Sequence, residues 1–184
     1  MTERLFFTES DDANALLASE PMALLIGFVL DQQVTVQKAF SGPLVIRERT
    51  GSLNATALAK ADLDTAFREK PAVHRFPGAM AQRVSDLAAV VRDEYGGNAS
   101  RIWLEASDAD DLRCRLAALP GFGEMKIKSL AAVLAKRFDV QAAEALVPDH
   151  PTLGDVTSPE TLHEYQAGKR AAKAERRKQA DSAS

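Results

Sequence analysis

The sequence predicts an all-α fold. Apolar residues recur at helical spacing through most of its segments, as at Met80, Val84, Leu87, Val90 and Val91, or at Leu112 and Leu116. Helix start and stop residues bracket those segments: Pro21 and Asp108 ahead of them, Gly96 and Gly97 behind. Only residues 44–50 could pass for a strand, and a lone short strand makes no sheet. No internal repeat is visible.

Each element has its own signal. Residues 11–20 read as a short helix, with Asp11 or Asp12 placed to cap it before Ala13, Leu16 and Leu17. Pro21 suits the first turn of the next helix. Residues 22–40 form a buried central helix carrying Leu24, Leu25, Phe28, Val29, Val36 and Phe40, with a polar break at Asp31, Gln32 and Gln33. Ser41, Gly42 and Pro43 end it; residues 44–50 are then either a strand or a continuing helix. Residues 56–69 repeat Leu58, Leu63 and Phe67 as an amphipathic helix, and Phe76-Pro77-Gly78 is a turn. Residues 79–95 are a helix that Gly96-Gly97 stops. A short helix begins at residues 102–104, and Asp108 caps another over about residues 109–118. A helix over residues 124–138 follows a glycine-rich turn. Pro148, Pro151 and Gly154 mark a loop, and from Ser158 a helical tail frays into solvent. The expected organisation is a helical domain over residues 1–157 and a basic, partly flexible tail over residues 158–184.

Composition narrows the function classes. A chain of 184 residues suits one domain or two small lobes around a cleft. The longest apolar run, residues 22–30, stops at Asp31 before it could span a bilayer, so no membrane partner is expected. The acidic N-terminal segment lacks the basic start of a signal peptide, and a cytoplasmic protein is expected. One cysteine, Cys114, excludes an internal disulfide, a four-cysteine iron–sulfur cluster and a cysteine-rich zinc site. Between Leu112 and Leu116 it reads as a small core residue. His74, His150 and His163 are scattered without metal-ligand spacing, so no metal site is expected. The net charge of −3 speaks against a nucleic-acid partner, but the charge is uneven. Residues 168–184 hold six cations against two acids, which leaves the rest of the chain at −7, with 17 basic and 24 acidic residues. An acidic protein can still own a local phosphate-binding face.

The most informative segment is residues 112–138: a helix, the turn Leu119-Pro120-Gly121-Phe122-Gly123, and a second helix. Glycines take positive φ freely and let a phosphate approach the main chain. The amides of residues 121–126 would open outward at a helix N-terminus, which binds anions, with Lys126 and Lys128 adding charge there. Leu119 and Phe122 would pin the turn to the core. The plainer alternative is an ordinary turn after a helix end.

Leu119-Pro-Gly-Phe-Gly resembles the helix-hairpin-helix of the HhH-GPD base-excision DNA glycosylases, the family of endonuclease III and the alkyladenine glycosylases. Two further segments resemble that family in the same order: Leu24-Leu-Ile-Gly-Phe-Val-Leu-Asp-Gln-Gln-Val-Thr-Val, like its early helix, and Phe76-Pro-Gly-Ala-Met-Ala-Gln-Arg-Val. The resemblance covers residues 21–155. It implies a protein that binds double-stranded DNA, flips a damaged or mismatched base into a pocket between two helical lobes, and cuts its N-glycosidic bond. It further implies a phosphate grip at residues 119–123 with Met125, Lys126 and Lys128, a Gln33 that enters the base stack, and an aspartate at the sugar. Val147-Pro148-Asp149-His150 is similar to the family's acidic motif, so Asp149 is the expected catalytic residue, with Asp155 behind it. His150 stands where the family's second acid would be. The family's lyase lysine falls on Met125, so a monofunctional enzyme is implied. No iron–sulfur cluster is expected, and a sodium or potassium ion at the hairpin is an option. The alternatives are a non-catalytic DNA-binding protein on the same scaffold, for Asp149 a residue that merely caps a turn before Pro151, and for Gln33 a polar residue that merely closes a buried helix.

Overall fold

Helix α2 (Pro21–Leu30) is apolar at every position, and all but its first residue are buried. It therefore has to sit inside the molecule, and the other elements are arranged around it. A computed structural model describes residues 2–183; the first and last residues of the two expected segments lie outside it. All regular elements in the described residues are helical. Helix α1 (Asp11–Ser19) precedes α2, capped by the Ser10 hydroxyl rather than by Asp11 or Asp12. Those two acids lie in the first turn, where the helix dipole favours them.

Helix α3 (Val36–Thr50) runs straight through Ser41, Gly42 and Pro43, against the expected stop. Gly42 here serves packing. A Cβ on it would lie 2.4 Å from a Leu30 methyl, and one on Gly27 would lie 2.4 Å from the Phe40 ring. The two glycines thus let α2 and α3 lie close together, and burial outweighs the cost of Pro43 in mid-helix. Phe40 then stacks edge-on against Phe7 and Phe28, with ring centroids 4.9 and 5.1 Å away. Residues 44–50 are therefore helix, and Gly51, at φ +82°, ends it.

The expected helix over residues 56–69 is two short ones, α4 (Ala55–Leu58) and α5 (Leu63–Arg68), each with its own cap in Asn54 and Asp62. Arg49 ties down the far end of α5, donating to the carbonyls of Ala66, Glu69 and Pro71 at 2.8 to 2.9 Å. Pro77 and Gly78 are no turn but the first residues of α6 (Pro77–Glu94), whose Met80, Val84, Leu87 and Val91 are buried. A short α7 (Arg101–Leu104) leads to α8 (Ala109–Ala117), capped by Asp108 as expected. Helix α9 (Glu124–Phe138) follows the glycine-rich turn. Two 3-10 turns, Gln141–Leu146 and Leu153–Asp155, occupy the expected loop, and α10 (Pro159–Ser182) ends the chain. Cys114 is exposed, which corrects its reading as a core residue: Leu112 and Leu116 occupy the inward stripe of α8, and Cys114 lies off it.

Helix packing falls into two groups, α1 to α6 on one side and α7 to α9 with the two 3-10 turns and α10 on the other. One apolar core runs through both. Among the described residues no single helix is long and apolar enough to cross a membrane; α1 and α2 together have the composition but meet at a 115° bend.

The end of α2 is buried, so its last carbonyls need partners inside the protein. His74 is almost fully buried, and its Nε2 sits 3.1 Å from the carbonyls of both Leu30 and Gln32. Both are acceptors, so Nε2 carries the proton, while Nδ1 accepts from the Phe76 amide at 3.0 Å. The ring is thus neutral. Burial, helped by the nearby charges of Lys38 and Arg75, holds it below the usual 6.5 against the pull of the two carbonyls. The unfolded ring takes a proton as pH falls through 6.5 and the folded ring resists it, so stability drops as pH falls below that value. Denaturant midpoints measured from about pH 7.5 down to 5.5 should decline for the wild type. In His74→Gln the midpoint should start lower and change less with pH; parallel curves for the two proteins would contradict this role.

Candidate nucleic-acid interface

The turn between α8 and α9 is built for exposure. Leu119 and Phe122 are buried and fix it to the core, while Gly121 and Gly123 face solvent. The Phe122 amide donates to the Leu119 carbonyl at 3.3 Å, with Pro120 second and Gly121 third at φ +83°. This is the pattern of a type II turn. No side chain caps α9 at Gly123. Helical bonding resumes only at Ile127, whose amide reaches the Gly123 carbonyl. The amides of Gly121, Gly123, Glu124, Met125 and Lys126 therefore have no acceptor among the described residues, at the positive end of the helix dipole. Such a cluster attracts anions. Glu124, the acid nearest to it, is held by Arg113 of α8 at 3.0 Å, and that contact keeps its carboxyl below the usual range. The carbonyls of Pro120, Gly121 and Phe122 also accept no protein hydrogen bond. They are hard oxygen donors that fit an alkali cation, which when bound would add one positive charge beside the turn.

Behind the turn stands a half-buried polar cluster. A Cβ on Gly121 would lie 2.7 Å from Cδ of Arg83, so the stem of Arg83, from α6, lies directly under the turn. The Arg83 guanidinium donates to Oε1 of Gln32 at 3.1 Å, joining the turn to the loop that follows α2. Lys126 bends inward in the same direction, and its Nζ donates to the Val29 carbonyl at 3.2 Å. Burial lowers its pKa to about 8, the charge of Asp31 opposing and that of Arg83 assisting. Asp31 is half-buried at the end of α2. Burial raises its pKa, against the charges of Lys169 and Lys126, and its carboxylate accepts no protein hydrogen bond among the described residues. Tyr165 and Lys169 of α10 complete the cluster, the ammonium lying 5.4 Å from the ring centre. A carboxylate raised toward neutrality beside a lysine lowered toward it is an arrangement that acid–base chemistry uses.

The sequence-predicted residues fall into two sets. Leu119, Pro120, Gly121, Phe122, Gly123, Met125, Lys126 and Lys128 are together by chain connectivity; Met125 is 77% exposed, Lys128 is exposed, and only Lys126 turns in. Gln33 is exposed in the loop after α2, at φ +54°, a strained conformation for a residue other than glycine. Asp149 lies exposed between the two 3-10 turns, and no hydrogen bond or ion pair joins it to the hairpin. Asp155 caps its own 3-10 turn and pairs with Lys136 at 2.6 Å, while Asp139 is the left-handed C-cap of α9. Sequence reasoning missed Asp31, Arg83, Tyr165 and Lys169. Two left a signal: Asp31 ends an otherwise wholly apolar run, and Arg83 is a cation three residues after Met80, close to the inward stripe of α6. A shallow recess of about 420 Å³ lined by Glu20, Arg47, Asn54 and Gly97 involves none of these residues. Comparison with protein-family models, curated proteins and solved structures found no match to this chain.

Two substitutions test this geometry. Gly121→Ala places a Cβ at positive φ and against Arg83, a cost of about 1–2 kcal/mol. For a chain of this size that is about 2–8 °C in Tm; an unchanged Tm would mean the turn is built otherwise. The unfolded Lys126 keeps its proton to about pH 10.5 but the folded one sheds it near 8, so stability should rise with pH from about 8 upward. Lys126→Met removes the desolvated charge and should flatten that rise.

Proposed function

We propose that the protein binds double-stranded DNA by seating a backbone phosphate on the free amides of Gly121 and of residues 123–126, and that it is a DNA N-glycosylase of base-excision repair. The observation that carries the binding is the uncapped turn itself: five unpaired amides, two buried anchors and Lys126 and Lys128 at one helix start. A helix N-terminus offered without a side-chain cap leaves its donors for a ligand. The exposed, strained Gln33 loop lies one residue beyond Gln32, the partner of Arg83, so it extends from the hairpin's own supports and suits entry into the base stack.

In base excision, water attacks C1′ as the N-glycosidic bond breaks, and the base leaves with the bonding electrons and gains a proton. Positive charge develops on the sugar in between, and a carboxylate stabilises it or takes the proton from the water. Two carboxylates compete for that role. Asp149 follows from the sequence motif. Asp31 is favoured by its position near Lys126 and Lys169, within the cluster under the hairpin. Met125 points to solvent and the Lys126 ammonium is engaged by Val29, which suits a monofunctional enzyme that leaves an abasic site and an uncut strand.

The test is base release from a panel of duplexes, each with one modified base, read before and after alkali. Wild type should release a base from at least one duplex, with strands broken only after alkali. Loss of release in Asp31→Asn, with Asp149→Asn active, places the chemistry under the hairpin; the reverse result places it at Asp149. A second reading, a non-catalytic DNA-binding protein, is favoured by the exposure of Asp149, which no hydrogen bond or ion pair among the described residues holds in place. Salt-dependent duplex binding with no release anywhere would establish it.

A further inference from the structure

Helix α10 begins as a packed element and ends as a bare one. Its first turns are anchored: Leu162 is buried, Tyr165 is half-buried, and Gln166 exchanges two amide hydrogen bonds with Gln37 of α3 at 2.7 and 3.0 Å. From Ala167 onward every described residue is exposed. At about 100° per residue, Leu162, Tyr165, Gln166 and Lys169 share one face, and the same face continues through Lys173 and Arg176, with Arg177 at its edge. The face that docks on the body therefore becomes a basic stripe where it leaves the body. It leaves beside the hairpin's supports, because Lys169 acts on Asp31 and Asp31 on Lys126.

The stripe is costly for the protein alone. Lys169 with Lys173, and Lys173 with Arg177, are like charges four residues apart, which weaken a helix. None of Lys173, Arg176 or Arg177 is in an ion pair among the described residues, and every described residue of α10 beyond 166 is exposed, so burial there does little to offset the repulsion. Five alanines between residues 167 and 180 supply helix propensity without neutralising anything. A row of cations kept helical and unpaired complements a row of phosphates.

We infer that the distal half of α10 is a second DNA contact, its Lys173, Arg176 and Arg177 lying along the sugar–phosphate backbone of the duplex held at the hairpin. This rests on the reading of the hairpin as a duplex grip and extends it. Lys169 to Arg176 rises about 10 Å, at about 1.5 Å per residue, or about three base-pair steps at about 3.4 Å each. The contact carries no sequence information, since phosphates offer none.

The experiment measures Kd for a labelled, undamaged duplex across a salt series, using the full chain. Three proteins are compared: wild type, a K173Q/R176Q/R177Q variant, and a K126M/K128Q hairpin variant. Circular dichroism and Tm confirm folding, and the anchor residues are untouched in the tail variant. Each lost phosphate contact lowers the slope of log K against log salt by about 0.9, so the tail variant should lose about 2 to 3 from the wild-type slope. The hairpin variant should bind weakly but keep the share of the slope due to the tail. A tail variant with wild-type Kd and slope overturns the inference and leaves the hairpin reading intact. Absence of salt-dependent binding by wild type overturns the hairpin reading, and the tail contact with it. A tail variant that keeps duplex affinity but loses binding to phosphatidylserine-containing vesicles overturns the inference in favour of a membrane surface.

Discussion

The structure depends on how α2 ends. A wholly apolar helix gains stability only inside the protein, and once it is inside, its final carbonyls cannot turn to water. One local and two remote groups answer that need. The Asp31 amide closes on Phe28, Lys126 reaches Val29 from α9, and His74 reaches Leu30 and Gln32 from the segment before α6. Positive charge is favoured at the C-terminal end of a helix, so a lysine is a fitting partner there. These contacts add polar ties between α2, the segment before α6, and α9 to the one apolar core that the helices share.

The same contacts create the candidate site. Lys126 is turned inward because Val29 needs a donor, and that brings it next to Asp31, the first residue that can leave the helix. Arg83 spans the remaining gap, its stem under Gly121 and its guanidinium on Gln32. Folding and function thus draw on one set of side chains. Both half-buried charges carry a desolvation cost, and each offsets part of the other's. An apolar residue at 126 would remove the desolvated charge but leave the Val29 carbonyl without its donor.

Much of this was legible in the sequence. The hairpin bounds, the Asp108 cap, Pro21 at a helix start and the Gly96–Gly97 stop are local signals, and local chemistry decides them. The failures occurred where packing overrides a local rule. Gly42-Pro43 reads as a stop until Leu30 is seen filling the space that Gly42 leaves, and Phe76-Pro77-Gly78 reads as a turn although proline is also at home in a first helical turn. Ser10 took the cap expected of Asp11 because both residues suit that place and only the fold chooses. The cluster around Asp31 was illegible for a different reason. Its members lie at positions 31, 83, 126, 165 and 169, on three helices and at the end of a fourth, and beyond the 165/169 pair no spacing rule links residues that meet only in the folded chain.

The charge distribution follows from the same arrangement. A chain at −3 overall is repelled by a polyanion at long range, so any hold on DNA must come from groups close enough to escape that field. At about 10 Å of screening in ordinary salt, only the nearest side chains count. Around the hairpin the nearest acid, Glu124, is occupied by Arg113, and Asp31 sits near Lys126 and Lys169. Several of the acids that set the net charge are spent elsewhere, on caps such as Asp62 and Asp108 and on surface pairs such as Asp64 with Arg68 and Glu105 with Arg101. The net charge therefore describes the fold's own needs, and the local field at residues 121–128 describes what it can hold.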